Sequence, residues 1–455
     1  MKTAMETTAF MKQPYSGKTV SGLLLAAIVL SLGQLLIFQT KIGVIVLVGA
    51  LLLLTSLLRP RLVYLLLVSL FSVEGFTVLP GASIPKIVGI VLITGLALRI
   101  AIRRGDDGIP RDNAYLYYFL FLAGCIFSLP GATNLPLALS MFGVYLSLFA
   151  FYVLTRYFLG SLKDIDYVLN CLVFSTVFFS LLLLFAGLTP RADAEARVSG
   201  GIGDSNEFAS YLLVVSSFSL YMALSSSGLK RIAYWGCVAL FLVLLILSGS
   251  RGGLLGLLSS LGVIIYHYGM RRLKEALSLL LIVAGVFIIT GSDEYWTRVS
   301  TIVSPDKEVQ IYKGQSIATR MDNYGTSWRM FIDNPLRGVG LYNFKERTRE
   351  YGGSFDNVVH NTYLEILTGG GLLSFIPFLL LLIDCWRKTR VRVTQNRRLR
   401  DLIICSRAAF VSVLITSFFL SADHKKITWF LLALISSVYY MAIREQRLQF
   451  FSERR

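Results

Sequence analysis

The sequence predicts an all-α polytopic membrane protein of about 12–14 transmembrane helices, with cytoplasmic termini and one large helical loop on the other side. Three observations carry that expectation. Charged residues make up 16% of the chain, hydrophobic residues 55%, and the mean hydropathy is +0.65, whereas a soluble domain carries roughly 25% charge. Apolar runs of about 17–22 residues recur, enough to cross a ~30 Å hydrocarbon core as helix and too long for barrel strands. Lysine and arginine gather in short connections that fall on one side of the membrane.

The expected spans lie near 20–38, 42–58, 62–79, 86–102, 114–129, 137–158, 166–188, 206–224, 232–249, 253–269, 276–290, 361–383, 402–421 and 427–443. The first follows a basic N-terminus as a signal peptide would, but no small-x-small cleavage site comes after it and further spans begin at once. It is therefore kept as a span. A cytoplasmic N-terminus puts Arg59, Arg61, Arg103, Arg104, Lys230, Arg231, Arg271, Arg272 and Lys274 on one side, with the run from Arg387 to Arg400 and the C-terminal Arg454 and Arg455. The net charge of +17 thereby sits beside anionic headgroups, which explains it without nucleic-acid binding. Cys125, Cys171, Cys237, Cys385 and Cys405 fall in spans or at their cytoplasmic ends, so neither a disulfide nor a CxxC metal site is expected.

This divides the chain into a first part of the bundle, 1–290, a loop domain, 291–360, and a C-terminal part, 361–455. A structureless loop of that length is unusual. TRMDNYGTSWRMFI places Met321, Tyr324, Trp328 and Phe331 at helical steps, the helix ends at Asn334 before Pro335, and the chain turns on Gly338 and Gly340.

Candidate chemistry lies on the outer side. Arg191 and Arg197 precede one span, and Arg251 stands in SGSRGGLLG at the outer end of another. A guanidinium there snorkels to headgroups, pairs with Asp193, Glu195, Asp204 or Glu207, or meets an anionic ligand. Small neighbours Ser250, Gly252 and Gly253 give Arg251 room and let a ligand approach the backbone. If the partner is an anion, phosphate suits the planar guanidinium fork, and two arginines fit a pyrophosphate. His360, at the lip of VVHNTYLEILTGGGLLSF, offers either a capping or packing residue, with Asn361 as N-cap of the next span, or a base. A neutral imidazole accepts a proton from an attacking hydroxyl, and an anionic leaving group needs none, so one base and two cations suffice for displacement at a sugar carbon bearing a lipid pyrophosphate. His424, beside Lys425 and Lys426 in an outer turn, is the rival base; His267 reads as interfacial.

RVSGGIGDSNEF at 197–208, SGSRGG at 248–253, NPLRGVGLYNF at 334–344 and HNTYLEILTGGG at 360–371 together resemble the O-antigen ligase and O-antigen polymerase superfamily over about 190 residues, from Arg197 past Gly371. The resemblance implies a GT-C-type glycosyltransferase of the bacterial inner membrane with its active site facing the periplasm, so that 291–360 is a periplasmic loop. It implies transfer of a glycan from undecaprenyl pyrophosphate to an acceptor hydroxyl by a metal-independent, inverting reaction with no cofactor. Arg197 and Arg251 then hold the donor pyrophosphate and His360 activates the acceptor, with Asn206, Asn361 and Arg191 as possible support. No outer DxD or His-rich cluster suggests a metal; GDSNE, with Asp204 and Glu207, is a weak candidate. In ligases the acceptor is lipid A-core and in polymerases a second lipid-linked repeat, and the ligase is the first expectation. The partners expected are these glycans and membrane lipids. A lipid or glycan transporter should instead show paired half-repeats and ionisable groups at the midplane, yet most charges here lie at span ends, with Glu74 and Arg407 as boundary cases.

Overall fold

The computed structural model describes residues 41–79, 82–103, 110–185, 198–269, 285, 317–353, 358–390 and 394–453. The expected span at 20–38 lies outside these residues, as does that at 276–290 apart from Gly285. The chain forms two compact units, Met1–Leu67 with Ile84–Asp107, and Val68–Ser83 with Gly108–Arg455.

In the first unit, α1 (Lys41–Leu58) packs against α3 (Ile84–Arg103). A Cβ on Gly95 would coincide with the Ser56 side chain, so glycine permits the close approach, and Arg99 closes the end of α1 by donating to the Leu57 carbonyl at 3.2 Å. The boundary between the units falls inside α2 (Pro60–Ser69).

The expected span at 62–79 is not a single helix. α2 stops at Ser69, a 3-10 turn covers Phe71–Val73, and β1 (Thr77–Leu79) pairs antiparallel with β2 (Ala82–Ser83). Two glycines and a charge explain the break. A Cβ on Gly75 would lie 2.6 Å from the Ile202 carbonyl oxygen and one on Gly201 2.5 Å from that of Ser72, while Gly75 N–H donates to Gly201 at 2.8 Å. Glu74, next to Gly75, is ion-paired with Lys426.

The second unit holds α4 (Ala114–Ser128), α5 (Leu135–Phe158), α6 (Leu162–Phe185), α7 (Ser205–Ser225), α8 (Gly228–Leu247), α9 (Arg251–Tyr268), α10 (Ile317–Asp333), α11 (Phe344–Arg347), α12 (Thr362–Lys388), α13 (Arg397–Thr416) and α14 (Lys426–Glu453). Seven of these, α4 to α8, α12 and α14, are long and apolar enough to cross a membrane, so the protein is an all-α polytopic membrane protein. α7 is central: 78% of its span is buried, against 39% or less for α5, α6 and α8. Its buried Phe208, Tyr211, Phe218 and Tyr221 fill the space between α6, α8, α9 and α13.

Two features orient this bundle. α4 lies antiparallel on α12 at backbone distance, since a Cβ on Gly124 would stand 2.3 Å from the Leu373 carbonyl oxygen. At the foot of that pair the buried Asp112 carboxylate meets Lys388 Nζ at 2.6 Å and Arg156 Nε at 3.1 Å, and Tyr152 donates to it at 2.8 Å. One buried anion thus ties α4, α5 and α12 together. The other end of the bundle carries the site.

α10 occupies the place expected in the loop and ends at Asp333, with Gly338 and Gly340 at φ +69° and +98° in the turns that follow. Its buried flank differs from the expected apolar stripe. Thr319, Asn323, Thr326, Ser327 and Met330 face protein, while Met321 and Trp328 are exposed. The sequence period marks the helix correctly; its inward face joins Met330 and Tyr324 to an apolar cluster with Val339, Phe344 and Val359 and adds hydrogen bonds to α12, as in the Ser327–Thr368 hydroxyl pair.

Candidate active site

The first turns of α7, α9, α12 and α14 converge on the last turn of α13. Ser250 Oγ donates to Asn206 Oδ1 at 2.8 Å, joining the heads of α9 and α7. Thr362 N–H donates to the Ser417 carbonyl at 2.9 Å and its hydroxyl to that of Leu420 at 2.7 Å, fixing the head of α12 on the α13–α14 turn. Lys425 reaches Glu207 at 2.7 Å, and Lys426 reaches Glu74.

Three of these heads are capped by side chains. Asp204 accepts from Asn206 N–H at 2.8 Å and Glu207 N–H at 3.0 Å, Ser250 from Gly253 N–H at 3.1 Å, and Asn361 from Tyr363 and Leu364 N–H at 3.0 and 3.1 Å. Each helix directs the positive end of its dipole to the same region, which favours an anion there.

Arg251 is the first residue of α9 and is partly buried. The glycines after it serve a different purpose from the one expected. A Cβ on Gly252 would stand 3.0 Å from Phe419 Cβ, and one on Gly253 2.7 Å from Ala209 Cβ, so they let α9 pack on α7 and on the α13–α14 turn. Arg191 and Arg197 lie outside the described residues. Asn206 and Asn361 are present as structural links, the first accepting from Ser250 and the second capping α12.

His360 immediately precedes the cap of α12, with its backbone in the left-handed region at φ +54°. A non-glycine residue held there costs of order 1–3 kcal/mol and is characteristic of functional sites. Its carbonyl accepts from the Tyr324 hydroxyl at 3.4 Å, and the same hydroxyl donates to the Phe418 carbonyl at 2.9 Å, so α10 braces the histidine against the α13–α14 turn. Burial, together with the Arg320 cation, holds the imidazole below its ordinary pKa of 6.5, with the Asp204 carboxylate opposing. That shift favours the neutral ring, the form in which an imidazole can act as a base.

A second histidine is built into the site more elaborately than the sequence suggests. His424 Nδ1 lies 2.6 Å from the Tyr342 hydroxyl, which also lies 3.1 Å from the buried Asp423 carboxylate. Tyr145 donates to that carboxylate at 2.5 Å, and Trp429 Nε1 donates to the Asp423 carbonyl at 2.6 Å. Burial, then Lys425 and Lys426, push His424 well below its ordinary value, and burial beside Asp423 keeps Tyr342 a phenol. Glu365, buried one turn into α12, receives the Ser421 hydroxyl at 3.4 Å. Sequence reasoning reached His424 but missed Tyr342, Asp423, Tyr145 and Glu365. The available signal was the charged run Asp423-His424-Lys425-Lys426 on the side where cations are scarce. The third histidine, His267, lies in the last turn of α9, with Arg407 Nη1 3.4 Å from its Nε2.

Residues 236–379 match the family model described as O-antigen ligase. Over this stretch, about a third of the chain, the protein is similar to the O-antigen ligase family. The stretch begins within α8 and ends within α12, and so contains Arg251, α10 and His360, while Asn206, Asp423 and His424 stand outside it. No curated protein matches the chain. The likeness, set within a multi-pass bundle, is to glycan-processing membrane proteins of the O-antigen ligase type.

Proposed function

We propose that the protein transfers a glycan from undecaprenyl pyrophosphate to an acceptor hydroxyl on the periplasmic face of the inner membrane, as an O-antigen ligase acting on lipid A-core. The observation that carries this reading is the likeness to the O-antigen ligase family, over a stretch that takes in both Arg251 and His360 where capped helix heads converge. In this reading the loop domain 291–360 separates bundle parts 1–290 and 361–455, and both termini are cytoplasmic.

The reaction is a single displacement. The acceptor oxygen attacks the anomeric carbon while its proton passes to neutral His360. The bond from that carbon to the pyrophosphate oxygen breaks, and the electron pair leaves with the pyrophosphate, so configuration inverts. Arg251 and Arg197 bind the diphosphate bidentately, and the dipoles of α7, α9 and α12 add to their field. Arg191 stands at the edge of the donor site, and Asn206 and Asn361 hold the helix heads in place. No step requires a metal.

Purified protein supplied with a lipid-linked glycan and, separately, lipid A-core or a second lipid-linked repeat tests the reading. A product on lipid A-core only supports ligase, whereas a product on the repeat only makes it a polymerase. Transfer to neither, with donor intact, overturns the enzyme. Inhibition by chelator that added metal reverses would overturn the metal-free step.

A further inference from the structure

α10 turns an apolar flank away from the protein. Met321, Trp328, Ile332 and Leu336 are 62%, 51%, 58% and 63% exposed, and with Gly325 they follow one stripe along the helix and past its end. The inward flank packs Met330 and Tyr324 into an apolar cluster with Val339, Phe344 and Val359 and adds small polar residues, so the outward stripe is a second apolar surface on the same helix. A contiguous exposed apolar stripe of this kind marks an interaction or membrane-contact surface.

The chain that follows α10 places this flank beside α12. Pro335 and Leu336 accept from Leu372 and Leu373 N–H of α12 at 2.8 and 3.1 Å, and Val339 and Gly340 donate to Thr368 and Gly369 at 2.9 and 3.0 Å. These bonds sit at Gly371, where φ +62° and ψ −167° interrupt α12 and free its backbone groups. Irregular backbone at membrane depth is tolerated where protein satisfies it in this way. Thr368 lies six residues into α12, roughly 9 Å below its head at about 1.5 Å per residue. Below it, Leu373, Ile376, Leu380 and Ile383 form the exposed outward stripe of this membrane-spanning helix. Leu336, bonded to Leu373, continues that lipid-facing stripe upward onto α10. Trp328 is of the residue type that gathers at membrane interfaces, and the exposed Arg329, Asp333 and Arg337 border the apolar flank.

We propose that α10 lies in the lipid leaflet at the site end of the bundle, its Met321, Trp328, Ile332 and Leu336 flank seated among acyl chains as an extension of the lipid-facing surface of α12. This rests on packing alone and is independent of the proposed reaction.

The test is tryptophan fluorescence in nanodiscs of phosphatidylcholine with or without acyl-chain bromine, comparing the full chain with its Trp328→Phe variant. The chain has five tryptophans, and the difference spectrum isolates Trp328. The expected difference emission is blue-shifted, loses at least half its intensity in brominated lipid, and responds little to aqueous iodide. A Trp328→Phe, Ile332→Trp double variant should regain a bromine-quenched signal, which guards against a folding artefact. Quenching by iodide instead of bromine would overturn the proposal, as would insensitivity to both, which would mean that a second protein copy covers the flank.

Discussion

The Tyr342 hydroxyl lies 2.6 Å from His424 Nδ1 while the tyrosine backbone is held at φ +56°. Tyr342 and His360 are the non-glycine residues with positive φ among the described residues; the first contacts His424 and the second is itself a histidine of the site. With the phenol proton donated to Asp423, the Tyr342 oxygen accepts from the Nδ1–H tautomer of His424, leaving Nε2 as the open lone pair. The site therefore offers two imidazoles whose burial favours the neutral form, of which only His360 falls in the stretch similar to the O-antigen ligase family.

Substitution separates them. His360→Ala is expected to lower the turnover of glycan transfer by about 10²–10⁴-fold, the usual contribution of a general base, with donor affinity within a few-fold of the parent. His424→Ala should lower turnover far less, because its loss leaves the Tyr342–Asp423 bond in place. Single-turnover transfer and donor binding measured on both variants check this, and the opposite ranking would move the base to His424.

The pH profile follows from the sign of the His360 shift. The base works when neutral, so activity falls as pH drops through its pKa, and burial with Arg320 holds that pKa below 6.5. The acid limb of kcat/KM should therefore lie below pH 6.5. Arg320→Gln removes a repelling cation and moves the limb upward, while Asp204→Asn removes the one opposing influence and moves it downward. A limb that ignores both substitutions would show that another group titrates.

Arg251→Ala should reduce donor binding and transfer by about 100-fold or more, and Arg251→Lys should recover only part, since an ammonium does not reproduce the planar fork on a diphosphate. The protein should remain folded in the membrane, because the glycines that follow Arg251 make the α9 contacts with Phe419 and Ala209. Binding of a lipid pyrophosphate lacking the glycan measures this directly, and unchanged affinity would remove the diphosphate from Arg251.

How much of this was legible in the sequence depends on the range of the interaction. Apolar runs locate most helices, Asn361 before its span announces a cap, and Pro335 marks the end of α10. Those signals act over a few residues. The break at 70–76 depends on Gly75 meeting Gly201, and the Tyr342–Asp423 contact joins residues 81 positions apart. The flank of α10 that turns inward was illegible for a related reason: in a lipid-facing protein the apolar stripe no longer identifies the buried side.

The charge cluster at the opposite end makes the last prediction. Burial raises the Asp112 pKa, but Lys388 and Arg156 outweigh it, so the net shift is below the ordinary 3.8. A carboxylate with a lowered folded pKa stabilises fully above its unfolded value, and that stability is lost as pH falls through the folded one. At neutral pH the contribution is therefore complete. Asp112→Ala should destabilise by about 3–5 kcal/mol, because Arg156 is left buried without its anion, whereas Lys388 keeps Asp384 at 2.5 Å. Adding Arg156→Met to Asp112→Ala should restore much of the loss by removing the stranded cation. Thermal unfolding in detergent at pH 7 reads both steps. A single variant as stable as the parent would mean that water, and not the Asp112 carboxylate, solvates the Arg156 guanidinium at the foot of α5.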